Sequence, residues 1–366
     1  MTPPASRGST SPYIYGRVMS RPQALVSLFT PGPTRVMGIL NVTPDSFAEP
    51  THRTTAQAIA FGLSLRNQGA ALVDVGAEST RPGAERVSEA EEIARALPVI
   101  DALVRAGVAV SIDTVRASVA RAALQAGAVL VNDVSGGLVD PKILAVAAQY
   151  EAGYVLQHWR TPFDHRFTHT DVVAETCAEL SERATIAIRA GIHPDKLILD
   201  PGIGFGKNTE QNWALVARAD AISALGFKVL WGVSRKRFLS VVYSHPTEPW
   251  QRDAASAGVT ALLAGRRVWA VRTHTVADHV NAIRSVEAAR PAEVTRSAHA
   301  HRHPEANRSP RASRSTEAIR SPGASRSVDA VRSADALRSA QVARSTTEGI
   351  DGVPHPDDKA QDGGHA

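Results

Sequence analysis

Only one cysteine, Cys177, occurs in the 366 residues, so no disulfide can form within the chain and a reducing, cytoplasmic setting is expected. Its place in an apparently helical stretch, residues 172–190, favours packing over nucleophilic chemistry. No cysteine and histidine cluster has the spacing of zinc ligands. No apolar run reaches the roughly 18 residues that suggest a membrane span, so no membrane partner is expected. The apolar stretch 24–29 is too short for a secretory signal. Residues 1–33, rich in Pro, Ser, Thr and Gly, read as a disordered extension, with Met19 and Met37 as alternative starts. Charge of one sign is also scarce: the net charge is +5. From Arg284 onward 12 Arg and 1 Lys face 11 acidic residues. Neither this part nor the rest is a basic footprint for nucleic acid, although a mildly positive pocket for an anionic substrate is compatible with the balance.

What is present changes character near Arg290. Beyond it aromatic residues vanish, and Ser, Arg, Ala and Pro take over. Arginine recurs every six residues from Arg284 through Arg290, Arg296 and Arg302 to Arg344, usually followed by serine. A hexapeptide period can build a β-helix only where a fixed place supplies apolar residues for its core. Here the fixed places hold Arg, Ser and Ala, which cannot bury enough apolar surface to offset the entropy of ordering. Residues 291–366 therefore read as a disordered low-complexity tail, with a binding arm for RNA or acidic partners as the alternative.

Residues 34–290 read as one domain. Short apolar runs at 36–40, 71–75, 108–112, 129–131, 154–156, 196–199, 228–231 and 268–271 alternate with longer, Ala-rich amphipathic stretches. Each run is nearly continuous in apolar character, as strands buried on both faces are. Residues 89–105 and 117–126 are clear helices, with Gly107 and Gly127 where glycines end helices. Eight β–α units in about 250 residues predict an α/β (β/α)8 TIM barrel. A doubly wound open sheet is the rival, but the Gly-rich phosphate fingerprint is missing after the first run.

In such a barrel chemistry gathers at the C-terminal ends of the strands. Polar side chains stand at nearly every one. Asn41 follows the first run, Glu78 to Arg81 the second, and Asp113 the third. Asn132 and Asp133 follow the fourth, His158 and Arg160 the fifth, and Asp200 the sixth. Ser234, Arg235 and Lys236 follow the seventh, Arg272 and His274 the eighth. Singly, each Asp, Asn or Ser is as well explained as a helix cap. Together, Asp113, Asn132, Asp200 and Lys236 offer carboxylate acceptors, an amide and an ammonium, a set that suits the edge of a flat heterocycle carrying adjacent donors and acceptors. Arg272 and His274, two residues apart on an extended chain, point the same way. With Asn41 they suit a diphosphate and its magnesium ion.

These motifs carry a resemblance. N-V-T-P-D-S-F at 41–47 and D-V-G-A-E-S-T-R-P-G at 74–83 resemble the first two signatures of the dihydropteroate synthase family of pterin-binding enzymes. S-I-D-T at 111–114, V-N-D-V-S-G-G at 131–137, L-D-P-G-I-G-F-G-K at 199–207, S-R-K at 234–236 and R-T-H at 272–274 follow in the family's order, over residues 35–283.

The resemblance implies joining of 6-hydroxymethyl-7,8-dihydropterin pyrophosphate to p-aminobenzoate in folate biosynthesis, giving 7,8-dihydropteroate and pyrophosphate. Asp113, Asn132, Asp200 and Lys236 would grip the pterin, with Arg235 stacking or pairing nearby. Asn41 would bind Mg2+ on the pyrophosphate, and Arg272 and His274 the pyrophosphate itself. Asp113, Asp200, Lys236, Arg272 and His274 would carry the catalysis. Phe47, Glu49, Thr80, Arg81, Pro82 and Ser234 would belong to the closing loops and the aminobenzoate pocket, the site that sulfonamides imitate. A homodimer is implied as well.

Two departures stand out. Arg237 stands where the family often has Ser. Ala48, Glu49, Pro50 and Thr51 replace the family's S-D-G-G, which predicts a stiffer first loop and a high aminobenzoate Michaelis constant, since proline restricts its own φ and the residue before it. The alternatives are a pterin-binding methyltransferase, a catalytically silent paralogue, and a non-enzymatic role resting on the tail.

Overall fold

Eight parallel strands close on one another in the order of the chain. The computed structural model describes residues 28–42, 53–78, 86–160 and 171–302. The strands are β1 (Arg35–Asn41), β2 (Leu72–Gly76), β3 (Val110–Asp113), β4 (Leu130–Asp133), β5 (Gly153–Gln157), β6 (Leu197–Asp200), β7 (Lys228–Trp231) and β8 (Ala270–Thr273). Each sits within two residues of an apolar run. Closure comes from β8 pairing β1, with Arg35 opposite Ala270 and Gly38 opposite Thr273.

The helices between them are α1 (Thr55–Asn67), α2 (Glu89–Arg105), α3 (Ala117–Gln125), α4 (Lys142–Gln149), α5 (Val172–Arg189), α6 (Thr209–Ala217), α7 (Ala219–Ser223), α8 (Asp253–Gly265) and α9 (Val276–Arg302). Their starts are written locally. Thr54 and Gln57 close a capping box on α1, and Asn208 and Gln211 do so on α6. Asp171 accepts from Val173 N and Ala174 N at the start of α5. Helix α3 lacks its own cap, and Asp140 supplies one from outside, accepting from Ala117 N at 2.8 Å. Gly107 and Gly127 both take positive φ, 76° and 103°, in the turns that follow α2 and α3.

Inside the barrel an apolar layer at the N-terminal end is formed by Met37, Leu72, Leu130, Val155, Ile198, Leu230 and Ala270. Its floor corrects the sequence-based domain boundary: residues 28–33, assigned to the loose extension, belong to the barrel. Leu28 is buried, its carbonyl accepts from Trp269 Nε1 at 3.0 Å, and Phe29 stacks on Trp269 with ring centroids 6.4 Å apart. The signal was the short apolar stretch 24–29, too brief to distinguish a plug from a stray run. At the other end, α9 continues through Arg302, past the composition break at Arg290 where the tail was expected to start. The rest of the repeat lies outside the described residues, as do residues 1–27.

The floor predicts a stability effect. A Cβ added to Gly153 would lie 2.8 Å from Phe29 Cζ and 3.2 Å from Leu130 Cδ1. Gly153→Ala should therefore cost about 1–3 kcal/mol through overpacking, read as a lower urea midpoint, with ligand binding at the far end unchanged. An unshifted midpoint would mean that Phe29 is not a fixed plug.

Candidate active site

Two residues beyond six of the seven apolar layer residues, Met37 being the exception, the same face of the strand changes character. Leu72 leads to Asp74, Leu130 to Asn132, Val155 to Gln157, Ile198 to Asp200, Leu230 to Gly232 and Ala270 to Arg272. The strands thus stack a polar layer on the apolar one at the C-terminal end, and Asp74, Asp113, Asn132, Gln157 and Asp200 are all buried.

Arg272 ties much of this layer together. Its Nε donates to Asp74 Oδ2 at 2.6 Å and its Nη2 to Asp113 Oδ2 at 2.7 Å. Asn132 Nδ2 donates to the same Asp74 oxygen at 2.8 Å. The other oxygens, Asp74 Oδ1 and Asp113 Oδ1, are buried without a hydrogen-bond partner among the described residues. Burial pushes the Asp113 carboxyl up to about 7 against the pull of Arg272, and Asp74, Glu92 and Asp133 add to the rise. Burial alone would lower the Arg272 guanidinium, but Asp74, Asp113 and Asp200 together raise it.

Opposite lies a second pair. Asp200 Oδ1 accepts from Gly202 N at 2.7 Å. Lys236 Nζ donates to Ile203 O and sits 4.7 Å from the centre of the Phe205 ring. Burial raises the Asp200 carboxyl and lowers the Lys236 ammonium to about 8, opposed by Asp200. A Cβ at Gly232 would lie 3.7 Å from Lys236 Nζ and 3.8 Å from Asp200 Oδ2. Glycine there keeps the space between donor and acceptor clear.

The S-R-K turn sets these directions. Arg235 has φ 60°, a strained value for a non-glycine residue and a frequent mark of functional turns. Ser234 Oγ consequently lies 3.0 Å from His274 Nδ1, and Lys236 meets the β6 loop. Arg235, expected to stack or pair near the pterin, also meets a side chain of the protein. Its Nε and Nη2 each donate at 2.9 Å to Asp253 at the start of α8, a bidentate pair that occupies the guanidinium plane.

Sequence reasoning grouped Arg272 with His274 as an anion clamp. In the structure Arg272 first serves the two carboxylates, although its five N–H donors leave others for an anion. His274 stands at the rim of β8 with Ser234. Asp133, also at a strand end, is a structural anchor: it accepts from Ser135 N, Ser135 Oγ, Gly137 N and Tyr154 Oη at 2.7–2.8 Å. Asp74 received no role from the sequence, yet it holds both Arg272 and Asn132. The signal was an acidic residue inside the apolar run 71–75. Asn41 ends β1 with its Oδ1 about as near to Gly76 as the Asp113 carboxylate, each 3.7 Å from a Cβ placed there.

Phe47, Glu49, Thr80, Arg81 and Pro82 lie outside the described residues, as does the altered stretch 48–51. The base of the second loop is described. Glu78 pairs with Arg86 across it at 2.6 Å and with Arg116 at 2.6 Å, and Arg116 reaches on to Glu92.

Among the described residues no group of three or more His, Cys, Asp or Glu is placed to hold a metal ion, and no helix is long and apolar enough to cross a membrane. The arrangement fits a planar ligand with N–H donors facing Asp113 and Asp200 and acceptors facing Asn132 and Lys236.

Comparison with known proteins agrees with this chemistry. Residues 37–274 match the family of pterin binding enzymes. Dihydropteroate synthase of Mycobacterium leprae is 42% identical over 264 residues, which cover 69% of this chain and 93% of that one. The solved structure of Xanthomonas albilineans dihydropteroate synthase with 4-aminobenzoic acid is 42% identical, with a TM-score of 0.65 over 70% of this chain and 93% of that one. That of Yersinia pestis with a sulfonamide drug is 36% identical, with a TM-score of 0.67 over 71% and 95%.

Proposed function

Since the chain belongs to the pterin-binding enzyme family, we propose that it catalyses the dihydropteroate synthase reaction, transferring a pterinylmethyl group from its pyrophosphate ester to p-aminobenzoate. The observation that carries this reading is the polar layer itself. Asp113 and Asp200 offer acceptors, Asn132 and Lys236 donors, and Gly232 withholds a side chain between Asp200 and Lys236. A methyltransferase reading would leave the R-T-H end of β8 without a purpose.

In the reaction the pterin CH2–O bond breaks and both its electrons leave with pyrophosphate. The amine lone pair forms the new N–C bond, and the nitrogen loses one proton to water. The barrier is charge separation. Asp113 and Asp200 stabilise positive charge growing on the pterin, and His274 with the remaining donors of Arg272 meets the departing anion. Asn41 is the residue that would help hold a magnesium ion on the pyrophosphate, and the ion would supply positive charge to the leaving group. No covalent enzyme intermediate is needed.

A cytoplasmic enzyme fits the single cysteine. A homodimer fits the exposed Val241, Val242, Trp250 and Leu262, each more than half accessible, on α8 and the two short helices beside it. Sedimentation at micromolar concentration tests that association.

The rim of β8 gives a test of its own. His274→Ala should weaken binding of the pterin pyrophosphate, with magnesium, by about tenfold or more, as loss of a hydrogen bond to a charged group does. It should barely affect a pterin lacking the pyrophosphate. Calorimetric titration reads both, and equal losses would place His274 elsewhere in the reaction.

A further inference from the structure

Lys207 closes the L-D-P-G-I-G-F-G-K motif, and none of the roles described so far uses it. Its ammonium turns inward to three acceptors: His158 Nδ1 at 2.9 Å, Gly202 O at 3.2 Å and Phe205 O at 3.3 Å. An ammonium has three donors, so all are taken, and none by a carboxylate. Burying a cation on neutral partners is expensive, and burial pulls this one down to about 7. The turn itself offers a backbone-only hold, since Phe205 N already donates to Gly202 O at 3.0 Å. The cation therefore has a use beyond closing the turn.

The atoms it grips are informative. Between Gly202 and Phe205 lies Ile203, whose carbonyl receives Lys236. Gly202 N donates to Asp200, and the Phe205 ring lies beside Lys236 Nζ. The same short loop thus sets both the carboxylate and the ammonium of the second pair. Behind it, β5 is fixed. His158 N donates to Asp200 O at 2.8 Å. Gly202, at φ +67°, packs so closely that a Cβ there would come within 2.0 Å of His158 O. His158 Nε2 lies 3.0 Å from Glu179 Oε2. A proton on Nε2 faces that carboxylate and leaves Nδ1 to accept from Lys207. Burial lowers the His158 imidazole to about 4, which keeps it neutral for this part.

We propose that Lys207, backed by His158 and Glu179, is a positioning residue that holds the β6 loop so that Asp200 and Lys236 meet the substrate ring at one spacing, its cation set against the same Gly202 peptide whose N–H bonds Asp200. The inference rests on the pterin reading above. The charged and titratable groups around Lys207 are His158, Asp200, Lys236, Arg160 and Glu179. Asp200 itself faces Lys236, Arg272 and Lys207.

The test is calorimetric titration of the full chain with 6-hydroxymethylpterin pyrophosphate across roughly pH 5–9, a window that brackets the lowered Lys207 and Lys236 ammoniums. Lys207→Met should bind on the order of tenfold more weakly or worse. Its acid limb should move to higher pH, because a cation that favours the Asp200 carboxylate is gone. A packing role alone would lower affinity without moving that limb. Lys207→Arg should recover part of the affinity and return the limb. Glu179→Gln, at the partly exposed end of the chain of contacts, should give a smaller loss in the same direction, and it keeps the test open if Lys207→Met fails to fold. Tight binding by the unaltered chain together with unchanged affinity and pH dependence in Lys207→Met, or in Glu179→Gln where only that variant folds, overturns the inference alone. Failure of the unaltered chain to bind overturns the pterin reading and the inference with it.

Discussion

Arg272→Ala should abolish most turnover and also destabilise the barrel by on the order of 3–5 kcal/mol, because it removes one partner from a buried charge network and strands the others. Asp74 and Asp113 both take guanidinium bonds, at 2.6 and 2.7 Å, and both are buried. Without Arg272 one carboxylate must take up a proton or stay ionised at high cost. The pH dependence follows from the sign of the shift. Asp113 already stands raised to about 7 from 3.8, mainly by burial. A carboxyl raised in the folded state binds more protons there than in the unfolded chain, so stability falls as pH rises from the unfolded value through the folded one. Loss of Arg272 raises the folded value further. The variant's deficit in urea unfolding should therefore be larger at about pH 8 than at about pH 5. Turnover should fall on the order of a hundredfold or more, the usual loss when an oriented charge donor is removed. A variant that keeps both its urea midpoint and its kcat/KM within about twofold, less than the worth of one ordinary hydrogen bond, would contradict the network.

Lys236→Met should behave in the opposite way, losing function without a matching loss of stability. The Lys236 ammonium is lowered to about 8 from 10.5, burial outweighing the help of Asp200. A lysine lowered in the folded state destabilises the fold wherever its charge is carried, and stability rises with pH between the folded and unfolded values. Removing the ammonium at neutral pH thus relieves a cost while stripping Asp200 of its counter-charge, and the two effects oppose each other. Pterin affinity has no such compensation. A donor to the ring is gone, and the expected loss is about 1–3 kcal/mol, or roughly fivefold to more than a hundredfold. Lys236→Arg should not rescue it, because a Cβ at Gly204 would already lie within 2.9 Å of Lys236 Cδ, a measure of how closely the stem is packed. Calorimetry with the pterin pyrophosphate and a thermal melt separate the two outcomes. Unchanged affinity with a large drop in Tm would make Lys236 structural.

The contrast between these residues marks what the sequence could show. Strand positions were legible because a parallel strand covered on both faces is a short, nearly continuous apolar run, and each run became a strand within two residues. Polar residues at strand ends were legible from their order along the chain. Their partners were not, because partners come from side-chain direction across the barrel. Arg272 was read as half of an anion clamp, yet it bonds across the barrel to β2 and β3. Arg235 was read as a neighbour of the ligand, and its pairing with Asp253, at a backbone φ of 60°, left no trace in the sequence. Asp74 was hidden inside an apolar run, between the core residues Leu72, Val73 and Val75. Leu28 and Phe29 were hidden by brevity, since two residues packed under a barrel leave no period to detect.

The central claim is that this barrel transfers a pterinylmethyl group to an arylamine. The most direct measurement is a turnover assay of the full chain with 6-hydroxymethyl-7,8-dihydropterin pyrophosphate, p-aminobenzoate and magnesium, following pteroate and pyrophosphate together. The account predicts both products in equal amounts, no turnover without magnesium, and inhibition by a sulfonamide that more aminobenzoate relieves. Pterin binding with no pteroate at any aminobenzoate concentration would contradict it, and would leave a pterin-binding barrel whose polar layer serves another reaction or none.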